Sequence, residues 1–164
     1  MDINIKRIGF QYYSQIMKLL EEYKHKEMVL FCVGNHKIWF DSFASAVADA
    51  AKQENIKAFV YGGKDYPIVP DNLPEYIEFV KNKHPKAAII VVDNILTTNQ
   101  QYCGKLIISK RATEVSSLYA PLLFGNISVL LNTNPYINPE LFLEKQSFVI
   151  ECIKQCFVFF KNLH

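Results

Sequence analysis

The amino-acid sequence predicts an α/β fold, a three-layer α/β/α sandwich around a mostly parallel sheet, as a single α/β domain over residues 1–164. Three observations carry this reading. Ala87-Ala-Ile-Ile-Val-Val-Asp93 is a continuous, β-branched run with no polar alternation, the signature of a strand covered on both faces. Strand-like and helix-like segments alternate up to Asp93, the order of right-handed βαβ units with helices on both sides of a sheet. No repeat, low-complexity tract or Gly/Ser-rich linker divides the chain.

Each element follows from local pattern. Ile8, Tyr12, Ile16, Leu19, Leu20 and Tyr23 recur at helical spacing, so residues 1–27 form an N-terminal helical segment packed on the domain. Met28–Val33 is a short buried strand that ends at Gly34. Asp41-Ser42 then opens an alanine-rich helix through Phe43, Ala46, Val47, Ala50 and Ala51, with Asp41 a good N-cap. Ile56–Tyr61 is a second strand, closed by Gly62-Gly63. Pro74 marks the first turn of a helix to Lys83. Leu106–Ser109 and Ile127–Leu131 are weaker strands, and Asn132–Pro139 reads as an exposed loop. From Pro139 to Leu163 a long helix turns Phe142, Val149, Cys152, Ile153, Cys156, Phe160 and Leu163 to one face.

Composition narrows the function classes. Half the residues are hydrophobic (50%) and 21% are charged, the balance of a chain that buries a core. The net charge of +2 comes from scattered lysines, which leaves no stripe for nucleic acid and no basic face for a membrane. No apolar run approaches the ~20 residues of a membrane span, and the N-terminus lacks a signal-peptide core. A cytoplasmic location follows. Cys32, Cys103, Cys152 and Cys156 form no CxxC pair and no metal-ligand spacing with histidine, and Cys152 and Cys156 lie one helical turn apart on an apolar face. They read as core residues.

In parallel sheets, sites form outside the carboxyl ends of the strands. Asp41 follows the first strand by a short loop and Asp93 terminates the third. Side by side, two carboxylates cannot both ionise easily, so one holds a proton while the other acts as base. That suffices for water-assisted amide hydrolysis. The same pair can instead hold a divalent metal; no cofactor-binding motif accompanies it. Structural roles compete with the catalytic one: Asp41 as N-cap and Asp93 as a tie to the loop that follows. Gly34-Asn-His-Lys-Ile-Trp-Phe-Asp41 stands where a phosphate loop would, but Trp39 and Phe40 fill the turn. His36 and His84 read as surface or loop histidines, and Ser42, Ser109 and Ser128 lie in no nucleophile-elbow pattern.

Several stretches, taken in order, resemble one family. Phe31-Cys-Val-Gly34 followed by Asp41-Ser42 resembles the signature of YyaC-type sporulation proteins. Tyr61-Gly-Gly-Lys-Asp-Tyr-Pro67 with Asn72-Leu73, the strand-ending Val91-Val-Asp93, and Pro121 through Gly125-Asn-Ile-Ser128 are similar to later stretches of that family. The resemblance runs from about Met28 to the C-terminus. It implies kinship to the spore germination protease and the hydrogenase maturation proteases, in the phosphorylase/hydrolase-like class of sandwich. It also implies acidic site residues at Asp41 and Asp93. The setting departs from the family: the loop is Asn35-His-Lys-Ile-Trp-Phe40, Ala44 replaces a glycine, and Asn94-Ile-Leu-Thr97 follows Asp93. No histidine matches the one that completes the metal set of the maturation proteases.

The expectation is a sporulation-associated protein of a spore-forming bacterium, with a peptidase-type site on Asp41 and Asp93 and a protein or peptide substrate. The competing expectation is a non-enzymatic binding or assembly protein on the same fold. A third is a hydrolase of a small-molecule, glycosidic or phosphate ester bond in the same crevice.

Overall fold

The structure, a computed structural model, describes residues 3–116 and 120–163, with side chains from residue 9 to residue 162. In chain order the elements are α1 (Ile3–Tyr23), β1 (Met28–Cys32), α2 (Phe43–Gln53), β2 (Phe59–Tyr61), α3 (Leu73–Lys83), β3 (Ala88–Leu96), β4 (Leu106–Ser109), β5 (Thr113–Ser116), β6 (Pro121–Phe124), β7 (Ile127–Thr133) and α4 (Pro139–Leu163). A 3₁₀ turn, Trp39–Asp41, lies between β1 and α2. The side chains of Ile8 and Leu163, expected on helix faces, lie outside the described residues.

Five strands form one sheet in the order β2-β1-β3-β7-β4. β1 runs parallel to β2 and β3, and β3 parallel to β7; β4 closes the edge antiparallel to β7. The predicted α/β architecture with a mostly parallel sheet is therefore the observed one. β1 and β3 are buried along Met28–Cys32 and Ala88–Val92, as their uninterrupted apolar sequence requires of strands covered on both sides.

Two cores sandwich the sheet. On one face α1 brings Ile16, Leu19 and Leu20, α2 brings Phe43 and Val47, and α4 brings Phe142, Val149 and Ile153. They pack over Leu30, Ile90, Val92, Val129 and Leu131. On the other face Leu73, Ile77 and Val80 of α3, with Val115 and Phe124, cover Val29, Phe31, Ile89 and Val91. Successive residues of β3 thus alternate between the two cores, the period of an extended chain. Each fully buried aliphatic side chain is worth about 1.5–3 kcal/mol relative to exposure.

Several boundaries differ from the sequence reading, each for a local reason. β2 begins only at Phe59, because Asn55 adopts a left-handed conformation and Ala58 N–H donates to the Ile56 carbonyl, so Ile56 enters the core from a turn. β3 does not stop at Asp93. It continues to Leu96 because β7 extends beside it, with Asp93 opposite Leu130 and Leu96 opposite Thr133. Asn132, Thr133 and Asn134 are accordingly buried, and the exposed tip shrinks to Tyr136 and its neighbours. β5 and β6 form a small antiparallel hairpin that turns Val115 and Phe124 toward α3.

All four cysteines are free; Cys32, Cys103 and Cys156 are buried and Cys152 is half-buried. Among the described residues no helix is long and apolar enough to cross a membrane.

Candidate functional site

The last rung of the β1–β3 ladder sets the site. Cys32 pairs with Val92, and Val33 N–H donates to the Val92 carbonyl (2.9 Å). There β1 ends while β3 runs on, so Asp93 is the first residue of β3 with no β1 partner. Gly34 turns the chain away. A Cβ at this position would stand 2.5 Å from the Asp41 carbonyl oxygen, so no side chain fits.

The loop then folds back on itself. Lys37 N–H donates to Asn35 Oδ1 (3.0 Å), Ile38 N–H to the Asn35 carbonyl (3.0 Å), and Asp41 N–H to the Ile38 carbonyl (2.9 Å). Asn35 N–H is shared between the carbonyl of Asp41 (3.0 Å) and its carboxylate Oδ2 (2.9 Å). The Trp39 indole anchors the turn, with its ring 5.5 Å from Phe142 of α4 and 5.3 Å from Phe40. The main-chain N–H groups of Asn35, Lys37, Ile38 and Asp41 are thus spent inside this turn.

Asp41 is not the cap of α2. Ser42 occupies the N-cap position and makes no side-chain cap bond either. Its hydroxyl donates to the Trp39 carbonyl (3.0 Å) and accepts from Gln146 Nε2 (2.9 Å), tying the turn to α4. The carboxylate of Asp41 bends back toward β1, half-buried, and burial pushes it up to about 6 against the opposing hydrogen bond from Asn35.

Asp93 accepts from the N–H of its own neighbour Asn94 (2.6 Å) and, among the described residues, ties down nothing farther along the chain. As a whole residue it keeps some exposure, yet its carboxyl is enclosed enough that burial dominates and raises it to about 8. The negative charge of Asp41 adds to that rise, against the Asn94 hydrogen bond. The influence runs from Asp41 to Asp93 because Asp41 ionises first. The two sequence-predicted carboxylates are therefore electrostatic neighbours at one end of the sheet.

Unpartnered buried polar atoms also occur on the elements that carry the pair and on β7 and α4. Asn94 has both side-chain polar atoms buried without a hydrogen-bond partner, and so do Thr133 Oγ1, Gln146 Oε1 and His36 Nδ1. Asn94 follows Asp93 in β3, Gln146 holds Ser42 beside Asp41, and His36 belongs to the turn. Sequence reasoning passed over Asn94 and Gln146: an Asn in a strand and a Gln on a helix are unremarkable until the fold encloses them. Among the described residues no three or more His, Cys, Asp or Glu side chains are grouped to hold a metal ion. Two carboxylates would need water or amide oxygens to complete a divalent-cation shell.

His84 corrects the sequence reading. It is 2% exposed, with Nδ1 2.8 Å from Glu27 Oε1 and Nε2 2.6 Å from the Tyr61 hydroxyl. Ser109 and Ser128 hydrogen-bond to each other (3.0 Å). Two sizeable surface cavities lie elsewhere: one of about 630 Å³ beside Lys26, Lys57 and Phe59, one of about 540 Å³ between Tyr12, Cys103, Leu141 and Phe148. Neither is lined by Asp41 or Asp93.

No curated protein matches the chain. Among solved structures, it is similar to the NiFe-hydrogenase maturation protease HycI from Thermococcus kodakarensis KOD1. The TM-score is 0.53 at 19% identity, over 85% of this chain and 98% of that one. At that identity the likeness is one of fold. Residues 2–135 match the family described as "Protein of unknown function (DUF1256)", the family of the YyaC-like proteins, and the chain belongs to it.

Proposed function

We propose that this protein is a sporulation-associated peptidase whose site is the carboxyl pair Asp41 and Asp93, acting in the cytoplasm on a protein or peptide substrate. One arrangement supports the reading: Asp93 just past the last β1–β3 rung and Asp41 on the turn that leaves β1, where burial pushes Asp41 up to about 6 and Asp93 to about 8. Near neutral pH the first is ionised and the second protonated, so Asp41 takes a proton from the attacking water and Asp93 gives one to the leaving amine. Neither step needs a cofactor; a divalent cation on the pair is a variant of the same proposal. The sporulation setting and the kinship to the spore germination protease rest on the family resemblance alone.

The test is hydrolysis of peptide and spore-protein substrates across pH. Activity should peak between about 6 and about 8 and vanish in Asp41→Asn and in Asp93→Asn with the fold intact. Hydrolysis that survives both substitutions would overturn the assignment.

A second reading has its own support. The cavities of about 630 and 540 Å³ avoid the pair, and the Asp41 carboxylate is engaged by the Asn35 N–H that closes its own turn. Both features suit a binding or assembly protein on this fold. Folded Asp41→Asn and Asp93→Asn proteins that bind a partner as the parent does, with no hydrolysis by any of the three, favour that reading.

A further inference from the structure

Glu27, His84 and Tyr61 form a hydrogen-bonded relay, built from the residue before β1, the C-cap of α3 and the end of edge strand β2. None of these segments carries Asp41 or Asp93. The proton positions follow from chemistry. A carboxylate only accepts, so the ring nitrogen facing Glu27, Nδ1, carries the hydrogen. In the neutral ring Nε2 is then an acceptor, and the Tyr61 hydroxyl is its donor. A hydroxyl, an imidazole and an orienting carboxylate in that order are the parts of an activated nucleophile.

The surroundings separate this relay from an ordinary buried histidine. Only the imidazole is shut in: its side chain is 1% exposed against 46% for Glu27, and Tyr61 is half-buried. The Glu27 end of the relay thus reaches solvent, and Tyr61 is not fully enclosed. Burial and the Glu27 charge raise the Tyr61 phenol, so Tyr61 is not a phenolate at rest. It can attack only as its proton leaves, which is what an adjacent base provides. Two half-exposed rings flank the group: Phe79, with its centroid 5.9 Å from that of Tyr61, and Phe59, 4.4 Å from His84. They offer exposed apolar surface beside the relay.

We propose that Tyr61 is a second reactive centre, a nucleophile toward small aryl esters, with His84 as its base and Glu27 as the group that positions His84. In the step, Tyr61 Oη bonds to the ester carbonyl carbon while its proton passes to His84 Nε2. The bond from that carbon to the aryl oxygen then breaks, and the aryl oxide leaves. The product is an acyl-tyrosine, and the proton on His84 goes to the aryl oxide or to solvent.

The test is a burst assay with p-nitrophenyl acetate, followed by mapping of the acetylated peptide by mass spectrometry. We expect one equivalent of p-nitrophenolate per chain and acetyl on Tyr61. Tyr61→Phe, which keeps the ring, should abolish the burst, and His84→Gln should slow it roughly 100-fold. Glu27→Gln, at a half-exposed position, serves if His84→Gln does not fold; it too should slow the burst, because the ring loses the carboxylate that fixes its tautomer. No burst in the parent protein, acetyl confined to lysines, a full burst in Tyr61→Phe, or an unchanged rate in Glu27→Gln would each overturn the proposal.

Discussion

Asp93 lies one residue beyond Val92, and Val92 is the last residue of β3 to pair with β1, across from Cys32. That register removes the neighbouring strand on one side of Asp93 at the point where the chain swings out through Gly34 to Asp41. Two carboxyls distant in sequence come under mutual influence because one strand outlasts the other.

The pair should make stability depend on pH. Unfolded, both carboxyls ionise near about 4. Folded, Asp41 keeps its proton to about 6 and Asp93 to about 8. Between those values the folded state binds more protons than the unfolded one, so stability is full below about pH 4 and falls as pH rises to about 8. Asp93→Asn should remove most of this slope and exceed the parent by about 1–3 kcal/mol at pH 8. Urea midpoints across pH check it; parallel profiles for parent and variant would contradict it.

Replacements at Asp41 separate a turn-closing role from a capping one. Asn keeps an acceptor for Asn35 N–H and removes the charge, so Asp41→Asn should match or exceed the parent at neutral pH. Asp41→Ala loses the acceptor as well and should fall about 1 kcal/mol below Asp41→Asn. The denaturation midpoints of the two variants decide this. Equal midpoints would mean that the bond to Asn35, 2.9 Å in the structure, contributes nothing.

What the sequence disclosed, and what it hid, follows the range of the interactions. Ala88–Val92 was legible because a strand covered on both faces must be apolar throughout. The alternation of elements before it set a parallel sheet. The antiparallel edge β4 was not readable, since four residues pair with β7 the same way in either direction as far as composition goes. The β5–β6 hairpin hid because each strand turns so few apolar residues inward. Asp41 was found by its place after a strand, but the competing role of helix cap is not the one it takes: Ser42 holds that position, and the bond from Asn35 runs backward across the turn, where no propensity records it. His84 was taken for a surface group because its partners, Glu27 and Tyr61, are 57 and 23 residues away in sequence.

Thiol chemistry gives an independent check on packing. Burial pushes Cys156 up to about 12 and Cys32 higher still, so neither is a thiolate near neutral pH. Cys152 is half-buried, and burial with the nearby Glu151 charge raises it too. An aromatic disulfide reagent should label native protein slowly, at Cys152 first, and all four sites only after unfolding. Prompt labelling of all four in the native state would contradict the packing.

The centre of the sheet is the least tolerant place. Ile90 is 2% exposed and lies between Leu30 of β1 and Ile127 of β7. Ile90→Asp buries a charge with no partner, a cost of about 3–5 kcal/mol or more against a typical total of about 5–15 kcal/mol. The variant should be insoluble or unfolded by circular dichroism, whereas Ile90→Val should fold with a loss of about 0.5–1.5 kcal/mol. A native-like spectrum and midpoint for Ile90→Asp would contradict the sandwich.

The coupling of Asp41 to Asp93 is the claim on which the proposed chemistry rests, and carboxyl-carbon NMR titration measures it directly. The parent should show one aspartate titrating near about 6 and another near about 8. In Asp41→Asn the higher one, Asp93, should move down while staying above the ordinary range, because burial remains when the neighbouring charge is gone. Asp41 and Asp93 both titrating near about 4, or an Asp93 unmoved by Asp41→Asn, would contradict the pair.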